Sequence, residues 1–243
     1  MQKAYIGQKI IHLERVGSTN NYTANLFKNG DIDSGTVIMT DIQTNGRGQR
    51  EKAWQSDAYT NLTFSIATDI NKWKINSFFT LNHITALATH QFIQKYIATV
   101  ALKWPNDVMV NDKKMAGILI ETQFTSSVQK TVIGIGININ QRSFTAPRAT
   151  SLLLETGQRH PPKELVHEFI EGFNEWLSNY HSNGENWILD QFNQRLWKKE
   201  EKHQFLIDNQ EKVGEIQKTT PKGQLVVEIE GELNYFSNGE VRY

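Results

Sequence analysis

The chain has 243 residues, which at about 100–200 residues per domain suits one large domain or one domain with a small satellite. Its 26 Lys and Arg balance its 26 Asp and Glu, so it lacks the basic excess of a protein that coats nucleic acid or an anionic membrane. Because there is no cysteine, disulfides, zinc–thiolate sites and thiol nucleophiles are excluded. No apolar run reaches the roughly 18 residues of a spanning helix or forms an N-terminal signal core, so we expect a soluble cytoplasmic protein.

Hydrophobic periodicity alternates between strand and helix patterns along the N-terminal half of the chain. A helix is expected at residues 19–28, with Ser18 as its N-cap and Asn29-Gly30 as its stop, and a longer one from Asn76 or Ser77 to about Ile97. Strands are predicted at residues 10–16, 36–43, 61–68, 100–104, 108–110, 115–123 and 131–138.

The pattern becomes helical after Pro161-Pro162. Apolar residues from Leu165 to Tyr180 advance by three or four and share one helix face, and a second helix is expected at residues 185–196. The charged run 198–202 then marks a boundary. Beyond it, turn signals at residues 208–209, 221–223 and 238–239 separate short strands, as in a small β-barrel. We therefore predict an α+β main domain at 1–197 and a small barrel at 198–243.

The first motif suited to chemistry is Gly46-Arg47-Gly48-Gln49-Arg50-Glu51-Lys52. Its glycines permit close backbone approach, and its three cations can receive a carboxylate and phosphates. The spacing is not that of a Walker loop, and the same composition is common in solvated turns.

Three further motifs lie in or beside predicted strands. In Lys103-Trp104-Pro105-Asn106-Asp107 the proline ends a strand and projects Asn106 and Asp107, although a simple packed turn fits equally well. Lys114 precedes Gly117, which can place an ammonium over a pocket floor that lacks side chains. Gly134-Ile-Gly-Ile-Asn138 lacks the third glycine of a dinucleotide fingerprint, so it favours a strand that a ligand approaches closely.

The histidines have no metal-ligand spacing, and no Gly-x-Ser-x-Gly nucleophile motif is present. We assign no protein metal ligand.

Taken in order, Ser18-Thr19-Asn20, Gln43 with the loop 46–54, and the three later motifs resemble the biotin–protein ligases. The similarity runs from about residue 10 to the C-terminus. It implies a mixed β-sheet packed with helices, of the class II aminoacyl-tRNA-synthetase-like type, and a small C-terminal SH3-like β-barrel. It also implies an enzyme that uses MgATP to make biotinyl-5′-adenylate from biotin. The biotin then passes to a lysine of a biotin carboxyl carrier protein domain of a biotin-dependent carboxylase.

The resemblance assigns residues to biotin. A neutral ureido ring needs hydroxyl and amide partners, which Ser18, Thr19 and Gln43 provide. Gly117 and Gly136 would leave room for the bicyclic ring. The full implied biotin set is Ser18, Thr19, Asn20, Gln43, Gly46, Arg47, Trp54, Gly117 and Gly136, with Trp54 over the valeryl chain and Arg47 on the carboxylate.

The resemblance also assigns residues to ATP and to catalysis. Lys114 would hold the α-phosphate, Asn138 would meet the adenine, and Asp107 would orient or deprotonate the incoming lysine. The implied catalytic residues are Arg47, Lys114 and Asp107. The implied ATP set is Arg47, Arg50, Lys52, Asn106, Lys114 and Asn138.

Two departures from the family pattern matter. Gln49-Arg50-Glu51-Lys52 stands where many relatives have Arg-Arg-Gly-Arg, so we expect weaker retention of the adenylate. The chain starts just before the first predicted strand, so we expect a short form without an N-terminal DNA-binding domain and without specific DNA binding.

Several readings stay open beside this one. Biotin–protein ligases often dimerise through their sheets, so the sequence allows a homodimer as well as a monomer. The alternative functions are a lipoate–protein ligase, whose Arg-Arg-x-x-Gly-Gly-Gly signature is absent, a nucleic-acid-binding module, and a ligand-binding relative without catalysis.

Overall fold

The computed structural model describes residues 5–124 and 129–243. Its main sheet is built from β1 (Ile10–Val16), β2 (Val37–Gln43), β3 (Leu62–Asp69), β4 (Val100–Lys103), β5 (Asp107–Val110), β6 (Lys113–Phe124) and β7 (Gln129–Ile137). These strands lie in the order β1-β2-β3-β7-β6-β5-β4. The β1–β2 pair is parallel and the other pairs are antiparallel, so the predicted mixed sheet is confirmed.

The helices are α1 (Thr19–Asn29), α2 (Phe78–Gln94), α3 (Leu152–Thr156), α4 (Pro162–Asn183) and α5 (Glu185–Asn193). As predicted, the Ser18 side chain caps α1, and Gly30 ends that helix in the left-handed conformation. Ser77 caps α2, which ends three residues before the predicted boundary. Helix α3 is not visible in the periodicity because five residues make little more than one turn.

The two faces of the main sheet are covered differently. Strand alternation places Leu62, Phe64 and Ile66 on one face, where Phe64 meets Phe169 of α4 with ring centroids 4.9 Å apart. The predicted apolar stripe of α4 is buried in this core. On the other face, α1 covers the part from Ser65 to Ala67 and the neighbouring strands, where Phe27 packs with Ile38. The rest of that face stays open for the site.

The C-terminal strands form a second, antiparallel sheet. They are β8 (Lys202–Ile207), β9 (Gln210–Thr219), β10 (Leu225–Ile229), β11 (Glu232–Phe236) and β12 (Val241–Arg242), in the order β11-β10-β9-β8-β12. All three predicted turns fall between strands, at left-handed Asp208-Asn209, Gly223 and Gly239. This sheet is consistent with the predicted SH3-like barrel, and the boundary at 197/198 stays a prediction.

The second sheet contacts the main body along the segment 103–107. The Trp104 indole N–H donates to Gly223 O over 3.0 Å, and the Tyr243 hydroxyl donates to Trp104 O over 3.0 Å. In the described ranges, no helix is both long and apolar enough to span a bilayer.

Candidate functional site

A cleft of about 870 Å³ opens on the sheet face that α1 leaves uncovered. Its remaining walls come from the loop 47–55, the segment 103–107, the segment 144–149 and the C-terminal residues 238–243. The predicted site residues that line it are Ser18, Thr19, Asn20, Gln43, Arg47, Arg50, Lys52, Trp54, Asn106, Asp107, Lys114, Gly117, Gly136 and Asn138. Gly46 lies directly behind this lining, where a Cβ would overlap Gln43 and the Trp54 carbonyl.

The floor of the cleft is a row of residues paired across four strands. Thr63 on β3 pairs with Gly136 on β7, which pairs with Gly117 on β6, and Gly117 pairs with Asp107 on β5. Residues directly opposite in a ladder share a face. The two glycines remove side chains from the centre of this row, as their positions in the motifs predicted.

Trp54 occupies the space above these glycines. A Cβ on Gly136 would overlap the indole, and one on Gly117 would lie 3.2 Å from Trp54 Cζ3. The indole thus fills the space over Gly117 and Gly136 in this structure, and contact of these glycines with a bicyclic ring stays a prediction. The loop that carries Trp54 folds inward because the Trp54 N–H donates to Gly46 O over 3.0 Å.

One end of the cleft is a network of neutral polar groups at the start of α1. The Thr19 N–H and hydroxyl lie 2.9 and 3.2 Å from Gln43 Oε1. The Ser65 hydroxyl lies 2.8 Å from Thr19 Oγ1 and 2.6 Å from Asn20 Oδ1. Ser18 completes the group as the N-cap. Ser65 was not predicted, although alternation in residues 61–68 already places a polar face there.

Arg47 reaches across the mouth of the cleft. Its guanidinium forms an ion pair with Glu121 of β6 and donates to Asn21 Oδ1. The second carboxylate oxygen of Glu121 accepts from Asn20 Nδ2 over 3.0 Å. The fork predicted to hold a ligand carboxylate thus holds a protein carboxylate, and the sequence motifs did not indicate Glu121.

Lys114 and Asp107 form the charged end of the floor. Lys114 Nζ lies 2.6 Å from Asp107 Oδ1 and 5.8 Å from the centroid of the Trp54 ring. Two hydrogen bonds hold the backbone of Lys114 in place, because its N–H donates to Arg148 O and its carbonyl accepts from the Thr150 N–H. The ammonium therefore starts from a fixed strand position beside the two glycines.

The two asparagines predicted to contact ATP, Asn106 and Asn138, each donate a hydrogen bond to a backbone carbonyl. Asn106 Nδ2 donates to Ile118 O over 2.7 Å, and Asn138 Nδ2 donates to Thr150 O over 2.9 Å. Both residues line the cleft, and their contact with a nucleotide stays a prediction.

The loop 47–52 is joined to the second sheet. Arg50 Nη2 donates to Asn238 O over 2.7 Å, and Asn238 Nδ2 donates to Gln49 Oε1 over 3.1 Å. Lys52 lies on the cleft wall, and the Glu51 side chain is outside the described residues. The sequence carries no signal for this junction, which joins residues more than 180 positions apart.

Lys103 is a further, half-buried cation at the same edge. Its Nζ donates to Tyr243 O over 2.5 Å and lies 4.8 and 4.9 Å from the Tyr243 and Trp197 ring centroids. Burial lowers the Lys103 pKa, and nearby Asp107 opposes that shift. Burial also raises the pKa of the Tyr243 phenol. Lys103 thus fastens the second sheet to the cleft.

The chain is similar in sequence to several known ligases. The chain is 31% identical over 188 residues to the bifunctional ligase/repressor BirA of Bacillus spizizenii, covering 74% of this chain and 57% of that protein. It is 31% identical over 158 residues to a biotin–[acetyl-CoA-carboxylase] ligase of Mycobacterium tuberculosis, covering 63% of this chain and 57% of that protein. The matched regions thus span little more than half of these curated relatives.

A solved structure agrees over nearly the whole chain. The biotin protein ligase of Aquifex aeolicus, in complex with biotin and ATP, superposes with a TM-score of 0.81 at 25% identity, covering 97% of this chain and 98% of that one. This confirms the predicted fold class. The model of the biotin/lipoate A/B protein ligase family matches residues 12–138, more than half of the sequence. The chain therefore belongs to the biotin/lipoate A/B protein ligase family.

Proposed function

We propose that this protein is a biotin–protein ligase that adenylates biotin with ATP and transfers the biotinyl group to a carrier-domain lysine. The observation that carries the proposal is the cleft itself. One end offers neutral hydroxyl and amide groups at Thr19 and Gln43, with Arg47 beside them at the mouth, and the other end offers the Lys114–Asp107 pair. The related Aquifex aeolicus enzyme has biotin and ATP in its complex.

The first half-reaction needs a held carboxylate and a stabilised phosphate. The ureido ring would lie at Ser18, Thr19 and Gln43. Trp54 would cover the valeryl chain, and Arg47 would hold the carboxylate after leaving Glu121. A biotin carboxylate oxygen attacks the α-phosphorus, and pyrophosphate leaves. Lys114 would meet the negative charge that develops on the α-phosphate, the kind of preorganised contact that lowers such barriers.

The second half-reaction needs a neutral amine. The acceptor lysine attacks the acyl carbon of the adenylate, and AMP leaves. Asp107 would orient this amine and accept its proton once Lys114 has turned to phosphate. The ion pair of these two residues places both groups at one end of the floor.

Mg²⁺ would accompany ATP. Within the described ranges, no three His, Asp or Glu side chains cluster as metal ligands. This suits a cation held mainly by phosphate oxygens and water, as Mg²⁺ often is, with Asp107 as the nearest carboxylate of the cleft.

The neutral cluster favours biotin over lipoate. A ureido group has one oxygen and two N–H groups to pair with Thr19 and Gln43, whereas the dithiolane ring of lipoate has only weakly accepting sulfur atoms. Burying unpaired amide and hydroxyl groups against that ring would be unfavourable. The carrier domain as acceptor, a homodimer, the absence of specific DNA binding and a cytoplasmic location stay predictions.

Pyrophosphate release from ATP tests the proposal, with biotin or lipoate added and then a purified carrier domain. We expect release with biotin alone and labelled carrier afterwards. Release only with lipoate would support the lipoate ligase, and biotin binding without release would support a non-catalytic relative. A biotin-dependent shift of DNA in a gel would contradict the prediction on DNA.

A further inference from the structure

Thr63 is a buried hydroxyl on the cleft floor. Its side chain is 4% exposed, and its Oγ1 has no hydrogen-bond partner in the part of the chain that the structure describes. It lines the cleft and pairs across the ladder with Gly136. Thr63 is not among the residues assigned to biotin, to ATP or to catalysis.

The neighbours of Thr63 show why its hydroxyl lacks a partner. Ser65, two residues along the same strand face, reaches Thr19 and Asn20 because α1 lies over that part of the sheet. Thr63 lies beyond the helix, beside a glycine that has no side chain to offer. A buried hydroxyl without a partner is unfavourable, and native structures seldom keep one without a reason.

A second unpaired group lies at the same place. Trp54 Nε1 also lacks a partner among the described residues, and its indole lies against Gly136. Thr63 beside Gly136 and Trp54 above it therefore carry two unsatisfied polar groups close to one glycine, and both residues line the same cleft. A ligand that lies there must bring a heteroatom.

We propose that the Thr63 hydroxyl donates to the ring sulfur of biotin and so contributes to the specificity of the site. This rests on the proposed function. The bicyclic head has a ureido group and one sulfur, and Ser18, Thr19 and Gln43 account for the ureido group. Ser65 lies beside Thr19 at the ureido end of the cleft, and Thr63 is the next residue on the same face of β3. From Thr63 the floor continues through Gly136 to Asp107, so Thr63 is the floor residue next to the ureido end.

The test compares biotin with dethiobiotin, which lacks the sulfur, by calorimetric titration of the full chain. Thr63→Val removes the hydroxyl and keeps the shape. It should weaken biotin binding about two- to fivefold, the lower part of the range for a neutral hydrogen bond because a thioether sulfur is a weak acceptor, and leave dethiobiotin binding unchanged. Its melting temperature should not fall, because the unpaired group has been removed.

Thr23→Val is the matched control. The Thr23 hydroxyl is also fully buried and unpaired among the described residues, but it does not line the cleft. This variant should bind both ligands like the unaltered protein. Thr63→Ser, which keeps the hydroxyl, should bind biotin as the unaltered protein does. If Thr63→Val fails to fold, Thr63→Ala removes the same hydroxyl and should show a larger loss for biotin than for dethiobiotin.

Unchanged biotin binding in Thr63→Val, or an equal loss for biotin and dethiobiotin, would overturn the assignment to sulfur while the proposed function stands. An unaltered protein that binds neither ligand would overturn the proposed function and this inference with it.

Discussion

Lys114 Nζ lies 2.6 Å from Asp107 Oδ1, so the two charged groups proposed for successive half-reactions form an ion pair with each other. The pair joins β5 and β6 beside Gly117. In the proposed mechanism Lys114 turns to a phosphate during adenylation, which frees the Asp107 carboxylate to meet the acceptor amine.

Lys114→Ala should lower the rate of adenylate formation about 10²–10³-fold, because a preorganised cation at the developing phosphate charge is lost. Pyrophosphate release measures this. Lys113→Ala is the control, since Lys113 Nζ lies 3.7 Å from Glu155, away from the cleft lining. Equal rates in the two variants would remove Lys114 from the site.

Asp107→Asn should leave adenylate formation within a few-fold and slow transfer about a hundredfold or more, because general-base assistance is lost. Single-turnover transfer from preformed adenylate separates the two steps. The defect should shrink as pH rises toward the pKa of a free lysine, about 10.4, since the acceptor then becomes neutral unaided. A defect that is constant with pH would contradict the assignment.

Glu121→Gln should tighten biotin binding about two- to fivefold, because the ligand carboxylate no longer competes with a protein carboxylate for Arg47. The pair is about 40% exposed, so its contribution is small, about 0.2–1 kcal/mol. Titration with biotin methyl ester provides the control, since the ester lacks the competing charge and should bind as before. Weaker biotin binding would instead make Glu121 part of the site.

Gly239→Ala should detach the loop 47–52 from the second sheet, because a Cβ there would overlap the Arg50 guanidinium. We expect faster hydrogen exchange in residues 48–52 and a KM for ATP raised several-fold, with a smaller change in kcat. Gly231→Ala is a close control, as Gly231 also has a positive φ but has nothing within 4 Å of the added Cβ. Equal effects in both variants would indicate backbone strain alone.

Acid should destabilise the fold through two buried histidines. Burial lowers the pKa of His83 and of His90 from 6.5 to about 4. Between those values the unfolded chain binds protons that the folded chain does not. Stability is therefore full above pH 6.5 and falls as pH drops toward 4, by up to about 1.4 kcal/mol per pH unit for each histidine.

Urea unfolding at pH 7 and pH 5 measures this loss. His83→Gln should reduce the difference between the two free energies of unfolding, because glutamine does not titrate. A difference as large as in the unaltered protein would contradict the role of His83.

Local signals in the sequence were enough for much of the secondary structure. Strand β1 has its predicted bounds, Ser18 and Gly30 delimit α1, and the apolar stripe of α4 is buried. Caps, turns and periodicity act over a few residues, so the sequence alone determines them. The order of the motifs likewise indicated the family.

The contacts inside the site depended on the tertiary structure. Thr63 faces the cleft because the β3–β7 register puts it beside Gly136, and Arg47 meets Glu121 from a position 74 residues away. Arg50 meets Asn238 across two sheets. Such contacts depend on strand order, on register and on how the second sheet packs against the first. These follow from packing along the whole chain, so the hydrophobic pattern around either residue does not indicate them.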